Sequence, residues 1–383
     1  MSDIYIERML LNELRERVRP GKVLILLGAR RVGKTELINR YLEERDDYLL
    51  LTGEDQRTVN ELDERSVTNL QRIIGDKKLL VIDEAQKIPE IGVKLKLIVD
   101  HIKGVAVIAT GSSVFDLSNK LGEPLVGRST TLHLHPLAQM EFAPNEDYLA
   151  TKAKLEERLI FGGYPELEQY TSWKEKERYL RDVVNAYLLR DLLEYDGIKK
   201  SDKIMALLRL IAFQVGKEVN VDELASNLKG ISRNTVESYL DLLSKVFVIY
   251  KVGGFSRNLR KEVTKMNRWY FHDNGVRNAI ISNFNRLDQR MDKGELWENY
   301  LMAERIKYLD YNGKYVNRYF WRTYDQQELD LVEEEAAMLR SYEFKLNPKR
   351  KTKVPGGWAR AYPDATFEVI NTDNYLDFIT VSK

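Results

Sequence analysis

Eight residues, Gly28-Ala29-Arg30-Arg31-Val32-Gly33-Lys34-Thr35, have the spacing G-x-x-x-x-G-K-[ST] of a phosphate-binding loop. The chemistry needs these types in this order. Gly28 and Gly33 let the backbone turn its N–H groups toward a phosphate. Lys34 reaches the outer phosphates of a nucleotide, and the Thr35 hydroxyl binds Mg²⁺. The contact set runs from Gly28 through Glu36. A second stretch, Leu79-Leu80-Val81-Ile82-Asp83-Glu84, is an apolar run ending in two carboxylates. Asp83 would hold the Mg²⁺ through its water shell, and Glu84 would polarise a water for attack on the γ-phosphate.

Such groups need a scaffold. Val23 to Leu27 reads as a buried strand and Glu36 to Leu42 as a helix, so the glycine loop lies at a strand-to-helix turn. Met9 to Val18 reads as an amphipathic helix leading to the first strand. Further strands are expected at Tyr48–Thr52, Leu79–Asp83, Val105–Thr110 and Thr130–Leu134. Helical stretches lie between most of them, which predicts a parallel α/β sheet.

At 383 residues the chain is too long for one core, so two to four domains are expected. Hydrophobic content of 43% and charged content of 31% describe a globular chain. A net charge of +1 gives no global steering toward nucleic acid, so any such surface must be local. The chain has no Cys, which excludes disulfides, thiolate metal sites and a Cys nucleophile. No apolar run approaches the ~20 residues of a membrane span, and the N-terminus lacks an apolar signal region. The expectation is a cytoplasmic protein without membrane contact.

The middle of the chain is organised differently. Leu155–Phe161, Glu175–Tyr195 and Lys203–Phe213 have helical periodicity, with Arg190 and Asp191 on an amphipathic stretch. Val221–Leu228 and Arg233–Leu243 are two short helices around a Gly-containing turn, with Ser232 as N-cap. Strands at Val246–Val252 and Arg268–Phe271 flank a loop holding Arg257, Arg260, Lys261 and Lys265. This is a winged-helix pattern. The basic wing would touch DNA phosphates, and Arg233, Asn234 and Ser238 would reach base edges, or the module packs against protein.

Beyond residue 290, Gly294–Leu301 opens a helix, and strands are expected at Tyr319–Trp321, Glu328–Val332 and Arg340–Lys345. Glu343 and Lys345 point to one side of their strand. With Asp330 they could hold a divalent metal and activate a water. The order D, then E-x-K, with the helical Glu298 upstream, resembles the restriction-endonuclease-like core. Glu298, Asp330, Glu343 and Lys345 are therefore a candidate second metal site, in a fold that either cleaves or only binds. Lys349, Arg350, Lys351 and Lys353 form a basic loop just beyond. His133 and His135 alternate on one strand, but no third ligand is evident nearby.

The intervening strand and the adjacent Glu84 resemble the AAA-like P-loop ATPases more than the small GTPases. In that group a polar residue at the next strand end senses the γ-phosphate, for which Thr110, Ser112 and Ser113 are candidates beside an ordinary Gly-Ser turn. Arg128 is a candidate arginine finger, acting in cis or across a homo-oligomer interface. The whole order is similar to a prokaryotic family of AAA-like ATP-binding proteins with a C-terminal domain of unknown function. The matching strings are G-A-R-R-V-G-K-T, V-I-D-E-A-Q, A-T-G-S-S, G-R at Gly127-Arg128, P-L-A-Q-M-E-F, G-G-Y-P-E, Y-F-H-D-N-G, L-W-E-N-Y, E-L-D and E-F-K. The resemblance implies ATP and Mg²⁺ as ligands.

The expected division is an AAA-like module over 1–145, a helical lid or linker over 146–215, a winged helix over 216–289 and a nuclease-like α/β part over 290–383. The expected activity is an ATP-binding, ATP-hydrolysing switch, with duplex DNA or a protein as partner. The alternatives are an ATP-regulated metal-dependent nuclease and a non-enzymatic DNA-binding scaffold.

Overall fold

A computed structural model describes residues 5–112, 125–188, 201–257 and 266–380. Ser113, Arg190, Asp191, Arg260, Lys261 and Lys265 lie outside the described residues. The chain divides into two compact units, one formed by Tyr5–Pro136 with Lys245–Phe247, the other by the remainder.

The first unit is built on a five-stranded parallel sheet of β1 (Val23–Leu27), β2 (Tyr48–Thr52), β3 (Leu79–Asp83), β4 (Ala106–Gly111) and β5 (Ser129–His133), in the order β2-β3-β4-β1-β5. Every residue of β1 and β4 is buried, whereas β2 and β5 are mostly half-buried. Continuous apolar runs belong in strands covered on both faces, and polar residues are tolerated at the edges. Because β4 lies between β1 and β3, the glycine loop and the acidic pair leave the same end of the sheet, one strand apart.

The second unit holds a seven-stranded sheet in the order β12-β11-β10-β9-β7-β8-β6. Its strands are β6 (Glu218–Val219), β7 (Ile249–Gly254), β8 (Asn267–Phe271), β9 (Asn317–Arg322), β10 (Glu328–Glu335), β11 (Met338–Phe344) and β12 (Thr366–Ile370). The expected boundary at 289/290 falls between strands of this one sheet. The strands of the winged segment do not form a sheet of their own. β7 pairs in parallel with β9 through Gly253 opposite Tyr319 and Gly254 opposite Phe320, so one sheet runs across that boundary. Phe255 continues the join, donating its N–H to the Phe320 carbonyl at 2.7 Å. Its ring packs among Trp321, Trp358 and Tyr362 in one apolar cluster.

The helix Lys293–Tyr311 has 13 of its 19 residues buried, which makes it a core element rather than an amphipathic one. Around it the later sequence strings lock together. The Asp273 carboxylate accepts from the N–H groups of Gly163 (2.8 Å) and Val276 (3.0 Å), capping the helix Asn274–Ile280. Asn299 pairs with both backbone groups of Phe271 and donates to the Asn274 side chain at 2.7 Å. A Cβ on Gly275 would stand 2.0 Å from the Phe161 carbonyl oxygen, so only glycine fits there. The G-G-Y-P, H-D-N-G and W-E-N-Y strings thus meet in a buried, mutually satisfied polar network. No helix among the described residues is long and apolar enough to cross a membrane.

Candidate functional site

The glycine loop begins where β1 ends. A Cβ on Gly28 would lie 2.3 Å from the Leu134 carbonyl oxygen, so backbone crowding demands glycine. Gly33 takes φ 93°, the left-handed turn that starts the helix Lys34–Leu42. Arg8 fastens the loop from beneath, donating to the carbonyls of Val32 and His135 at 2.6 Å each. The Lys34 ammonium is buried, donating to the loop's own carbonyls of Gly28 (2.8 Å) and Ala29 (3.1 Å). A helix N-terminus with a lysine folded into a glycine-bounded loop suits an anion.

The acids of β3 complete the arrangement. The Thr35 hydroxyl donates to Asp83 Oδ2 at 3.2 Å, so a hydroxyl and a carboxylate converge as hard oxygen donors. That donor pair fits Mg²⁺ beside a polyphosphate. The Thr110 hydroxyl, at the end of β4, donates to Asp83 Oδ1 and accepts the Glu84 N–H at 3.1 Å. Thr110 therefore ties the Asp83 carboxylate to the Glu84 backbone. Glu84 adopts φ 49°, ψ 46°, a left-handed conformation that costs a non-glycine residue about 1–3 kcal/mol. Gln86 donates to Glu84 Oε2 and reaches Ser112 Oγ at 3.4 Å. Arg8 and Gln86 were not read as site residues. Gln86 lay within the V-I-D-E-A-Q string, but nothing in spacing reveals which acid a glutamine will orient.

Arg128 requires correction. The Arg128 carbonyl accepts the Val23 N–H at 2.9 Å, which places the residue at the start of β1. The phosphate loop leaves the other end, a five-residue strand or roughly 17 Å away. The Arg128 side chain is exposed and pairs with Asp100 at 2.6 Å. It does not reach the phosphate loop of its own chain, and the cis role falls.

Glu298, Asp330, Glu343 and Lys345 do come together, lining one cleft of about 660 Å³ in the second unit. The pairing of β10 with β9 shifts register between Leu329 and Val332, and such irregularities re-aim side chains. Each acid already has a partner from the chain. Asp330 Oδ2 accepts the Phe344 N–H at 2.7 Å, Glu298 Oε1 accepts the Tyr270 hydroxyl at 2.7 Å, and Lys345 pairs with Glu343. Arg268, unnoticed in the sequence reading, sends Nη1 to 3.9 Å from both Glu298 and Asp330. Burial, and then the nearby Asp330 charge, push the Glu298 carboxyl up to about 8. Burial and the Glu343 charge push Asp330 up to about 7. No three His, Cys, Asp or Glu residues among those described converge to hold a metal. At the expected second metal site, two of the carboxylates have the Arg268 guanidinium as a cationic neighbour.

Of the expected DNA contacts, Arg233 and Asn234 are exposed at the start of the helix Arg233–Lys245. Arg233 pairs with Asp222 (2.9 Å) and Glu237 (3.0 Å), and Arg257 with Glu334 (2.8 Å).

Comparison with known proteins agrees with this geometry. Residues 20–143 match the family model described as an AAA domain. Residues 152–287 and 293–377 match two models described as domains of unknown function, DUF8612 and DUF4143. An uncharacterized protein of Methanocaldococcus jannaschii is 26% identical over 376 residues, covering 92% of this chain and 81% of that one. An uncharacterized protein of Mycobacterium tuberculosis is 24% identical over 346 residues, covering 89% and 73%. Among solved structures, a Walker-type ATPase of Pyrococcus abyssi superposes with TM-score 0.50 at 18% identity, covering 72% of this chain and 96% of that one. That likeness is one of fold.

Proposed function

Because this chain belongs to the prokaryotic AAA-like P-loop ATPase family, we propose that it binds Mg-ATP and hydrolyses it as a switch. The observation that carries this reading is the hydrogen-bonded series Thr35–Asp83–Thr110–Glu84, set beside the loop of Lys34. Lys34 would exchange its two loop carbonyls for phosphate oxygens. Thr35 and Asp83 would hold Mg²⁺, which neutralises charge on the transferred phosphoryl group. Glu84, oriented by Gln86 through Oε2, would take the proton of the attacking water at Oε1. Thr110 is the γ-phosphate sensor in this reading, because movement of Asp83 or Glu84 bears directly on its hydroxyl.

Residues 1–145 act as the nucleotide module and 146–215 as a helical connector. The segments 216–289 and 290–383 act as one body on a shared sheet. ATP biases this switch only through contacts that differ with and without the γ-phosphate. Duplex DNA is the partner we test first. It would meet the exposed start of the helix Arg233–Lys245, where Arg233 and Asn234 stand together. The ion pairs of Arg233 are no obstacle, since exposed pairs contribute little net stability and exchange readily for phosphate.

The test is phosphate release from Mg-ATP, with and without duplex DNA, for the wild type and Glu84→Gln. Turnover lost in the variant supports the reading, and DNA stimulation adds the partner. Absence of Mg-ATP affinity by calorimetry would overturn it.

A further inference from the structure

The cleft lined by Glu298, Asp330, Glu343 and Lys345 lies within the second unit. Three features of Arg268 bear on it. Its side chain comes from the interior strand β8 and is only 4% exposed, so it is a built part of the cleft rather than a surface side chain that happens to fall there. Its guanidinium stacks 4.5 Å over the ring of the fully buried Phe320, which fixes its plane. Its Nη2 donates to Glu328 at 3.0 Å, while Nη1 is 3.9 Å from both Glu298 Oε1 and Asp330 Oδ1.

The guanidinium thus stands beside the two carboxylates that would have to hold a divalent ion here. A buried arginine cannot shed its proton, so its charge is permanent. Like charges at such separations repel strongly away from bulk water. Asp330 Oδ2 also accepts the Phe344 N–H, Glu298 Oε1 the Tyr270 hydroxyl, and Glu343 Oε1 pairs with Lys345. We propose that Arg268 is the resident cation of this cleft, holding Glu298 and Asp330 together in place of a divalent metal. The cleft is then a metal-independent site, and phosphodiester cleavage by a metal-activated water is not its chemistry.

The test measures Mn²⁺ binding to the nucleotide-free full-length chain by electron paramagnetic resonance. Wild type, Asp330→Asn, Arg268→Met and the double variant are compared. Any Mn²⁺ held near Thr35 and Asp83 is common to all four, so the differences report the cleft. The expected result is identical binding by wild type and Asp330→Asn. Arg268→Met should gain a site, tighter by more than about tenfold, and lose it again in the double variant. Wild-type binding that disappears in Asp330→Asn would overturn the proposal, and so would a folded Arg268→Met that gains no site. Should Arg268→Met fail to fold, the comparison of wild type with Asp330→Asn still decides.

Discussion

At the scale of single residues, the nucleotide site is a short list of hydrogen bonds with separable roles. Glu84→Gln keeps the shape of the side chain and the Oε contact with Gln86 but removes the base. Turnover should fall by about 10²–10⁴-fold, while Mg-ATP affinity measured by calorimetry stays within a few-fold of wild type. In the cleft, Glu298 and Asp330 are raised from ordinary carboxylate values to about 8 and about 7. The folded state then holds more protons than the unfolded chain between roughly pH 4 and pH 8. The stability linked to these groups is fully present below the unfolded values and is lost as pH rises through the folded ones. The urea midpoint should therefore drop between about pH 4 and about pH 8, and Glu298→Gln should flatten that drop. A midpoint just as steep in the variant would assign the dependence elsewhere.

At the scale of elements, much of the first unit was legible and much of the second was not. The apolar run Val23–Leu27, the glycine spacing and the run ending at Asp83 are local patterns, and local patterns fix local structure. Arg128 was misjudged because strand order decides which end of the sheet a residue occupies, and order is set by contacts far apart in the chain. Arg268 was missed for the same reason: its partners Glu298 and Asp330 lie 30 and 62 positions downstream. Strand β6 has two residues, too few to leave any periodicity. Strings such as G-G-Y-P and H-D-N-G turn out to serve packing around Asp273. That carboxylate satisfies the buried N–H groups of Gly163 and Val276 at once. Asp273→Ala leaves them unpaired, each at about 1–3 kcal/mol. Denaturant unfolding should show a loss of at least ~2 kcal/mol, with Asp273→Asn recovering part of it.

At the scale of the whole molecule, two units with separate cores predict two thermal events. Only the event belonging to Tyr5–Pro136 should respond to nucleotide. At a hundred times the dissociation constant, Mg-ATP should stabilise it by about 2.7 kcal/mol, leaving the other event in place. A single transition that shifts as a whole would mean that the units unfold cooperatively. The continuous seven-stranded sheet also has a practical consequence for anyone who cuts this chain into pieces. A fragment ending at 289 would strip β9 from β7 and turn an interior strand into a raw edge. Gly253, Gly254 and the Phe255 N–H would lose their pairing, and the Phe255 ring its cover of Trp358 and Tyr362. Bare edges recruit other strands. Such a fragment should come out of expression as aggregate or as a swapped oligomer, and its DNA-binding behaviour would describe that assembly rather than the protein.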